Sequence, residues 1–213
     1  MIKIIRDPQA IEAKSFEIID AEVGAHNFSD LEWPIVRRII HTSADYDFVM
    51  NTLISNGAVA SALEAIRSGC GIYCDTNMVL AGINKSRLTE AGCTLSCHVA
   101  DDDVAIQAKA EGVTRSIVAL RKGVASGAGI FLIGNAPTAL YELLELYKEN
   151  KVNPALVVGV PVGFVGAAES KEELVASGLP QITCRGRKGG STIAAAICNA
   201  LLILDKERIA EHV

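Results

Sequence analysis

Aromatic side chains are scarce in this chain: five Phe, four Tyr and one Trp, 5% of 213 residues. A core must therefore be built from the aliphatic residues that bring the apolar share to 50%. Long hydrophobic runs are missing as well. Ile193–Leu204 is too short to span a bilayer, and Val152–Ala168 is free of charge but broken by Pro154, Pro161 and glycines. The opening MIKIIRDPQA has neither the unbroken apolar stretch nor the small-residue cleavage site of an export signal. The expectation is a soluble, cytoplasmic protein whose six cysteines are reduced thiols. Positive charge is not in excess either. Twenty Lys and Arg against 25 Asp and Glu give a formal net charge of -5, which points away from a nucleic-acid or anionic-membrane partner. No Pro-, Ser- or charge-rich linker and no internal repeat divides residues 1–213, so one domain is expected.

What is present is a pattern of alternation. Asp7-Pro8 is a good helix opening, with Asp7 as cap and Pro8 at the first helical position. Ile11, Ser15, Ile18 and Ile19 then share a face, which predicts Ser15 among core-facing residues. A second helix starts near Ser29-Asp30 and keeps its period through Trp33, Val36, Ile39 and Ile40 to His41; a third runs from Asn56 to Arg67 and ends at Gly69. Thereafter strand-like runs at 71–74, 94–99, 129–133, 155–160 and 181–184 alternate with helical patterns at 102–111, 114–122, 137–149, 171–176 and 192–204. Short apolar strands without polar alternation, separated by helices, predict an α/β three-layer sandwich. Its sheet is five-stranded, mostly parallel and Rossmann-like, with ligands beyond the carboxyl ends of the strands.

Two segments carry chemistry. Arg37-Arg38-Ile39-Ile40-His41-Thr42-Ser43-Ala44-Asp45 puts two guanidinium groups and an imidazole within about one helical turn. A neighbouring cation or burial would keep His41 neutral and ready to accept a proton; a carboxylate such as Asp45 would favour the charged donor. The same residues also read as a solvated basic face closed by a capping histidine. The second segment, Cys184-Arg185-Gly186-Arg187-Lys188-Gly189-Gly190-Ser191, lies between a strand and a helix, where backbone amides and cations together suit carboxylate or phosphate. It lacks the Walker A order, and Gly127-Ala128-Gly129 precedes a strand instead of following one, so no nucleotide fingerprint is present. The spacings Cys70-x3-Cys74 and Cys93-x3-Cys97-His98 are wrong for one ion, since strand residues four apart are ~13 Å apart. No metal is expected. Asp101-Asp102-Asp103 reads as a helix cap with acidic first-turn residues, and His26 and His212 carry no signal.

Several segments then match a known family in order along nearly the whole chain. They are Ser15-Phe16, Arg37-Arg38-Ile39-Ile40-His41-Thr42 with Asp45, Asp75-Thr76-Asn77-Met78-Val79 with Gly82-Ile83, Gly134-Asn135-Ala136-Pro137-Thr138-Ala139-Leu140, and Gly186-Arg187-Lys188-Gly189-Gly190-Ser191. The chain resembles precorrin-8X methylmutase (precorrin isomerase). The resemblance implies a methyl shift from C11 to C12 of a tetrapyrrole, precorrin-8 or its cobalt form, by a cofactor-free homodimer with active sites near the subunit interface. It implies His41 as proton donor and acceptor and Ser15 and Arg38 as substrate-binding residues, with Arg115, Asn135, Arg187 and Lys188 added around them. A corrinoid acid carries many carboxylates around an apolar ring, which suits several cations spaced about a glycine-lined floor such as Val160–Gly166. Two other readings stand beside this one: a tetrapyrrole carrier without turnover, and a nucleotide-dependent oxidoreductase on a Rossmann-like sheet.

Overall fold

A computed structural model describes residues 5–211, with side chains described to residue 207; His212 and the first four residues lie outside it. In chain order the elements are α1 (Pro8–Val23), α2 (Trp33–Ser43), α3 (Asp47–Asn51), β1 (Thr52–Ile54), α4 (Ala58–Arg67) and β2 (Gly71–Cys74). They continue with α5 (Asn77–Gly82), α6 (Lys85–Glu90), β3 (Thr94–Ser96), α7 (Asp102–Glu111), α8 (Arg115–Ala125) and β4 (Ala128–Ile133). The last are α9 (Pro137–Lys148), β5 (Leu156–Gly159), α10 (Ala167–Ala176), β6 (Gln181–Cys184) and α11 (Ser191–Glu211).

The sheet order is β1-β6-β5-β4-β2-β3, parallel throughout except that β1 pairs antiparallel with β6. The expected parallel α/β sheet is present, but it has six strands and not five. The missed strand, β1, is three residues long, too short for an alternation to register in sequence. α3, α5 and α6 were missed for the same reason, being one to two turns each.

Alternation along the strands divides the core between two faces. Ile72, Ile130, Leu132, Leu156, Val158 and Ile182 pack with helices α2, α4 and α11, while Tyr73, Phe131, Ile133 and Val157 pack with α8, α9 and α10. Both faces are covered, which is why the strands are uniformly apolar. Chain order reverses between β2 and β4, so the crevice at their carboxyl ends is the sheet's switch point.

The first helix departs from expectation. Asp7 does cap it, accepting from the Ala10 amide at 2.9 Å, with Pro8 at the first position. Yet of the expected buried face only Ile19 is covered; Ile11 and Ile18 are 46% and 45% exposed. α1 packs chiefly on α2, where Ile19 enters the core with Phe16 and Val23 half-buried against it, which leaves Ile11 and Ile18 outside the contact.

Candidate active site

α1 and α2 meet through matched stripes. Glu12, Phe16 and Asp20 recur every four residues on α1, as Trp33, Arg37 and His41 do on α2, so each set lies along one helix face. Asp20 accepts from the Trp33 indole at 2.9 Å and from Arg37 at 2.7 Å. Glu12 takes Arg38 with both oxygens, at 2.7 and 3.3 Å. The hydrogen bond from Arg38 holds the Glu12 carboxyl below its ordinary range. Between them the Phe16 ring lies under both guanidinium groups, 4.3 Å from Arg37 and 4.8 Å from Arg38, and 5.3 Å edge-on from the His41 ring. Ser15 turns its hydroxyl back to the Ile11 carbonyl at 2.8 Å.

His41 is solvent-exposed in the last turn of α2, which ends on Ala44 in the left-handed region (φ 52°). A non-glycine residue there stores backbone strain of ~1–2 kcal/mol. The chain then turns to Asp45, whose carboxylate, with that of Asp47, takes the Lys188 ammonium at 2.6 and 2.7 Å. That pair ties the His41 turn to the basic loop after β6, and it holds the Asp45 carboxyl below its usual range.

The basic loop is locked to the loop after β5. Gly190 donates to the Val160 carbonyl at 2.8 Å and Gly163 to the Arg187 carbonyl at 3.2 Å. Gly189 (φ 152°) lies so close to the Val160 carbonyl that a Cβ would collide with it. The Arg187 guanidinium stands 5.4 Å from the ring of Phe164, which is 82% exposed. Val162, Phe164 and Val165 thus form an apolar lip beside a cation.

At the switch point the chain supplies its own anion. Asp75, 0% exposed, accepts from the Gly134, Asn135 and Ala136 amides at 3.1, 2.8 and 2.9 Å. Burial pushes its carboxyl up, and the three N–H groups oppose that rise. The Thr76 and Ser191 hydroxyls meet at 3.1 Å beside it. The amides that a nucleotide phosphate would use are therefore engaged, which disfavours the oxidoreductase reading. Asn135 itself is exposed on this turn, and Arg115 opens α8 nearby, where Thr114 and Thr138 join the starts of α8 and α9 at 3.1 Å.

The structure therefore brings Arg38 and His41 to Phe16, with the neighbouring Ser15 turned back to the Ile11 carbonyl, joins Lys188 to the turn after His41, and sets Asn135 and Arg115 at the same edge of the sheet. α8, which carries Arg115, packs on the opposite face from α2. Sequence reasoning missed Glu12 and Asp20, the acidic partners of Arg38 and Arg37. The four-residue spacing Glu12–Phe16–Asp20 is a signal that could have found them. Among the described residues no three His, Cys, Asp or Glu side chains converge on a possible metal position.

The order of these motifs along the chain matches a known family's sequence model, described as precorrin-8X methylmutase, over residues 10–204. The chain belongs to the precorrin-8X methylmutase family. Cobalt-precorrin-8 methylmutase of Priestia megaterium is 48% identical over 198 residues, covering 92% of this chain and 88% of that protein. Precorrin-8X methylmutase of Pseudomonas aeruginosa is 45% identical over 205 residues, 94% of this chain and 98% of its own length. The crystal structure of the precorrin-8X methylmutase from Thermus thermophilus superposes with a TM-score of 0.88 at 41% identity, covering 94% of this chain and 97% of that one. As a member of this methylmutase family, the chain is an isomerase of cobalamin biosynthesis that moves a methyl group within its substrate. The carrier reading is not favoured, because these relatives are named for the reaction.

Proposed function

We propose that the chain converts precorrin-8 or cobalt-precorrin-8 by moving one methyl from C11 to C12, with His41 lending a proton or hydrogen bond to a ring position during the shift and recovering it afterwards. The isomerisation leaves the proton count unchanged, so one group that gives and retakes a proton suffices. The observation that carries this is the placement of His41: exposed, edge-on to Phe16, one turn beyond two guanidinium groups. Ser15 and Arg38 hold the substrate beside it. Arg187, Lys188, Asn135 and Arg115 receive other ring carboxylates, and the Val162–Val165 lip takes the apolar ring edge. Arg38 and Lys188 are already paired with carboxylates, so ring carboxylates displace Glu12, Asp45 and Asp47 in order to bind.

The cavities beside Arg38 and Lys171 hold only about 240 and 280 Å³. Those are below the ~300–1,000 Å³ of typical ligand pockets, so a macrocycle lies across open surface. A homodimer in which a second copy covers that surface fits this arrangement, with Arg115, on the opposite face of the sheet from α2, as the residue a second copy would bring to it. The expected reaction partners are this tetrapyrrole and a second copy of the chain, with no cofactor or metal, in the cytoplasm.

The test is anaerobic absorption spectroscopy with each of the two substrates, wild type beside His41→Ala. Wild type is expected to convert the chromophore with time, and His41→Ala to do so ~10²–10⁴-fold more slowly while still binding product. A His41→Ala variant that turns over at the wild-type rate removes His41 from the chemistry.

A further inference from the structure

One buried cation has no part in the reaction so far. Lys171, on α10, is 2% exposed. Its ammonium donates to the Lys188 carbonyl at 2.7 Å and lies 3.6 Å from the Cys184 sulfur, whose thiol donates to the same carbonyl at 3.1 Å. Burying an ammonium is costly even with partners, and burial draws this one below the usual lysine range. Its partners are a carbonyl and a thiol, not a carboxylate, so charge neutralisation is not what it gains. What it does is fix one point of the basic loop. Before substrate binds, Lys188 is gripped from the other end as well, its own ammonium held by Asp45 and Asp47 in the turn after His41; once ring carboxylates displace them, Lys171 is the grip that stays. Arg187, between this clamp and the loop after β5, is thereby set with its guanidinium at the Phe164 ring.

We propose that Lys171 is a positioning residue for substrate binding: it clamps the Lys188 backbone so that Arg187 is held out to the ring carboxylates. The proposal rests on the reading that the 185–191 loop binds substrate. A lysine that served packing alone would be replaceable by Met with no effect on substrate, since buried charges are often exchanged for apolar groups without loss of stability.

The experiment is a double-mutant cycle on the full chain, with KM and kcat measured for Lys171→Met, Arg187→Ala and the pair. Lys171→Met is expected to raise KM about tenfold, the scale of one hydrogen bond to a charged group, and to change kcat less than about twofold. Arg187→Ala is expected to raise KM similarly in the wild type but less than about twofold more once Lys171 is Met, because the arginine is already misplaced. Lys171→Arg is expected to regain most of the lost affinity. Its donors still reach the carbonyl, and the adjoining cavity lined by Leu53, Val175 and Thr183 takes the added bulk. Should Lys171→Met not fold, Lys171→Gln, with a shorter donor, serves in the same cycle. A wild-type KM for Lys171→Met, or losses that simply multiply in the pair, overturns the proposal. A wild-type KM for Arg187→Ala alone fails differently: it takes the loop away from the substrate and sinks the reading beneath the proposal.

Discussion

Removing the carboxylate of Asp75 tests whether the switch point is held by three backbone amides. The Gly134 and Ala136 donors are buried, and Asn135 is exposed. Asp75→Ala leaves two N–H groups without a partner and out of reach of water, at ~1–3 kcal/mol each. The void left by the side chain adds to this, and relief from burying the carboxyl subtracts, for a net loss of about 3–5 kcal/mol. Asp75→Asn keeps one oxygen, which can serve the Asn135 and Ala136 amides together as Oδ2 does now. Its NH2 then faces the Gly134 amide, donor against donor, for a loss of about 1–3 kcal/mol. For a chain of this size ~1 kcal/mol corresponds to ~2–4 °C in Tm. Urea unfolding followed by circular dichroism, with Tm as a second readout, should therefore rank wild type above Asp75→Asn above Asp75→Ala. An Asp75→Ala protein within about 1 kcal/mol of wild type refutes the anchoring argument. So does a reversed order of the two variants, since burial of the charge would then outweigh the hydrogen bonds.

Three other outcomes are expected. Glu12→Gln frees Arg38 from an internal competitor, so KM should fall ~2–5-fold while stability, resting here on a half-exposed pair, changes by less than ~1 kcal/mol; an unchanged or raised KM contradicts the competition. The Glu12 carboxyl is held below its usual range by Arg38, so the pair's contribution is present above the ordinary carboxylate value of 4.5 and is lost as pH falls through the depressed folded value. Fluorescence of Trp33, the chain's one tryptophan and itself bonded to Asp20 on α1, should report α1 loosening in that acid window and in Glu12→Gln already at neutral pH. Burial pushes the Cys70 and Cys198 thiols up to about 12, so iodoacetamide at pH 7.5 (about a typical assay pH) should leave both unmodified in the native protein and label them after denaturation.

Much of the fold could be read from the sequence because its interior strands are buried on both faces and most of its longer helices carry an apolar face. β2 and β6 begin and end where the apolar runs at 71–74 and 181–184 do, and α7 matches the run from Asp102 to Glu111. What escaped has a common cause. β1 gains its identity only by pairing with β6, and the buried face of α1, a helix the sequence did show, is set by charged partners on α2 as well as by Phe16, Ile19 and Val23. Sequence periodicity detects a buried apolar face and is blind to both. At the site, Arg37, Arg38 and His41 stood out because they are adjacent in sequence. Lys171 did not, because it meets Lys188 only after α10 folds back on β6. Nor could sequence show that Arg38 and Lys188 are already occupied by acidic partners, since Glu12 and Asp47 lie 26 and 141 residues away from them.

The two outermost strands, β1 and β3, have three residues each. A strand that short offers an incoming chain one or two backbone hydrogen bonds, too few to template a continuation of the sheet. Lateral growth from either side is thereby blocked, although the interior strands are as apolar as any aggregating segment. A second copy that docked on this chain would then have to meet it through helices and loops, whose side chains choose their partner, so that recognition and not backbone polymerisation would govern association.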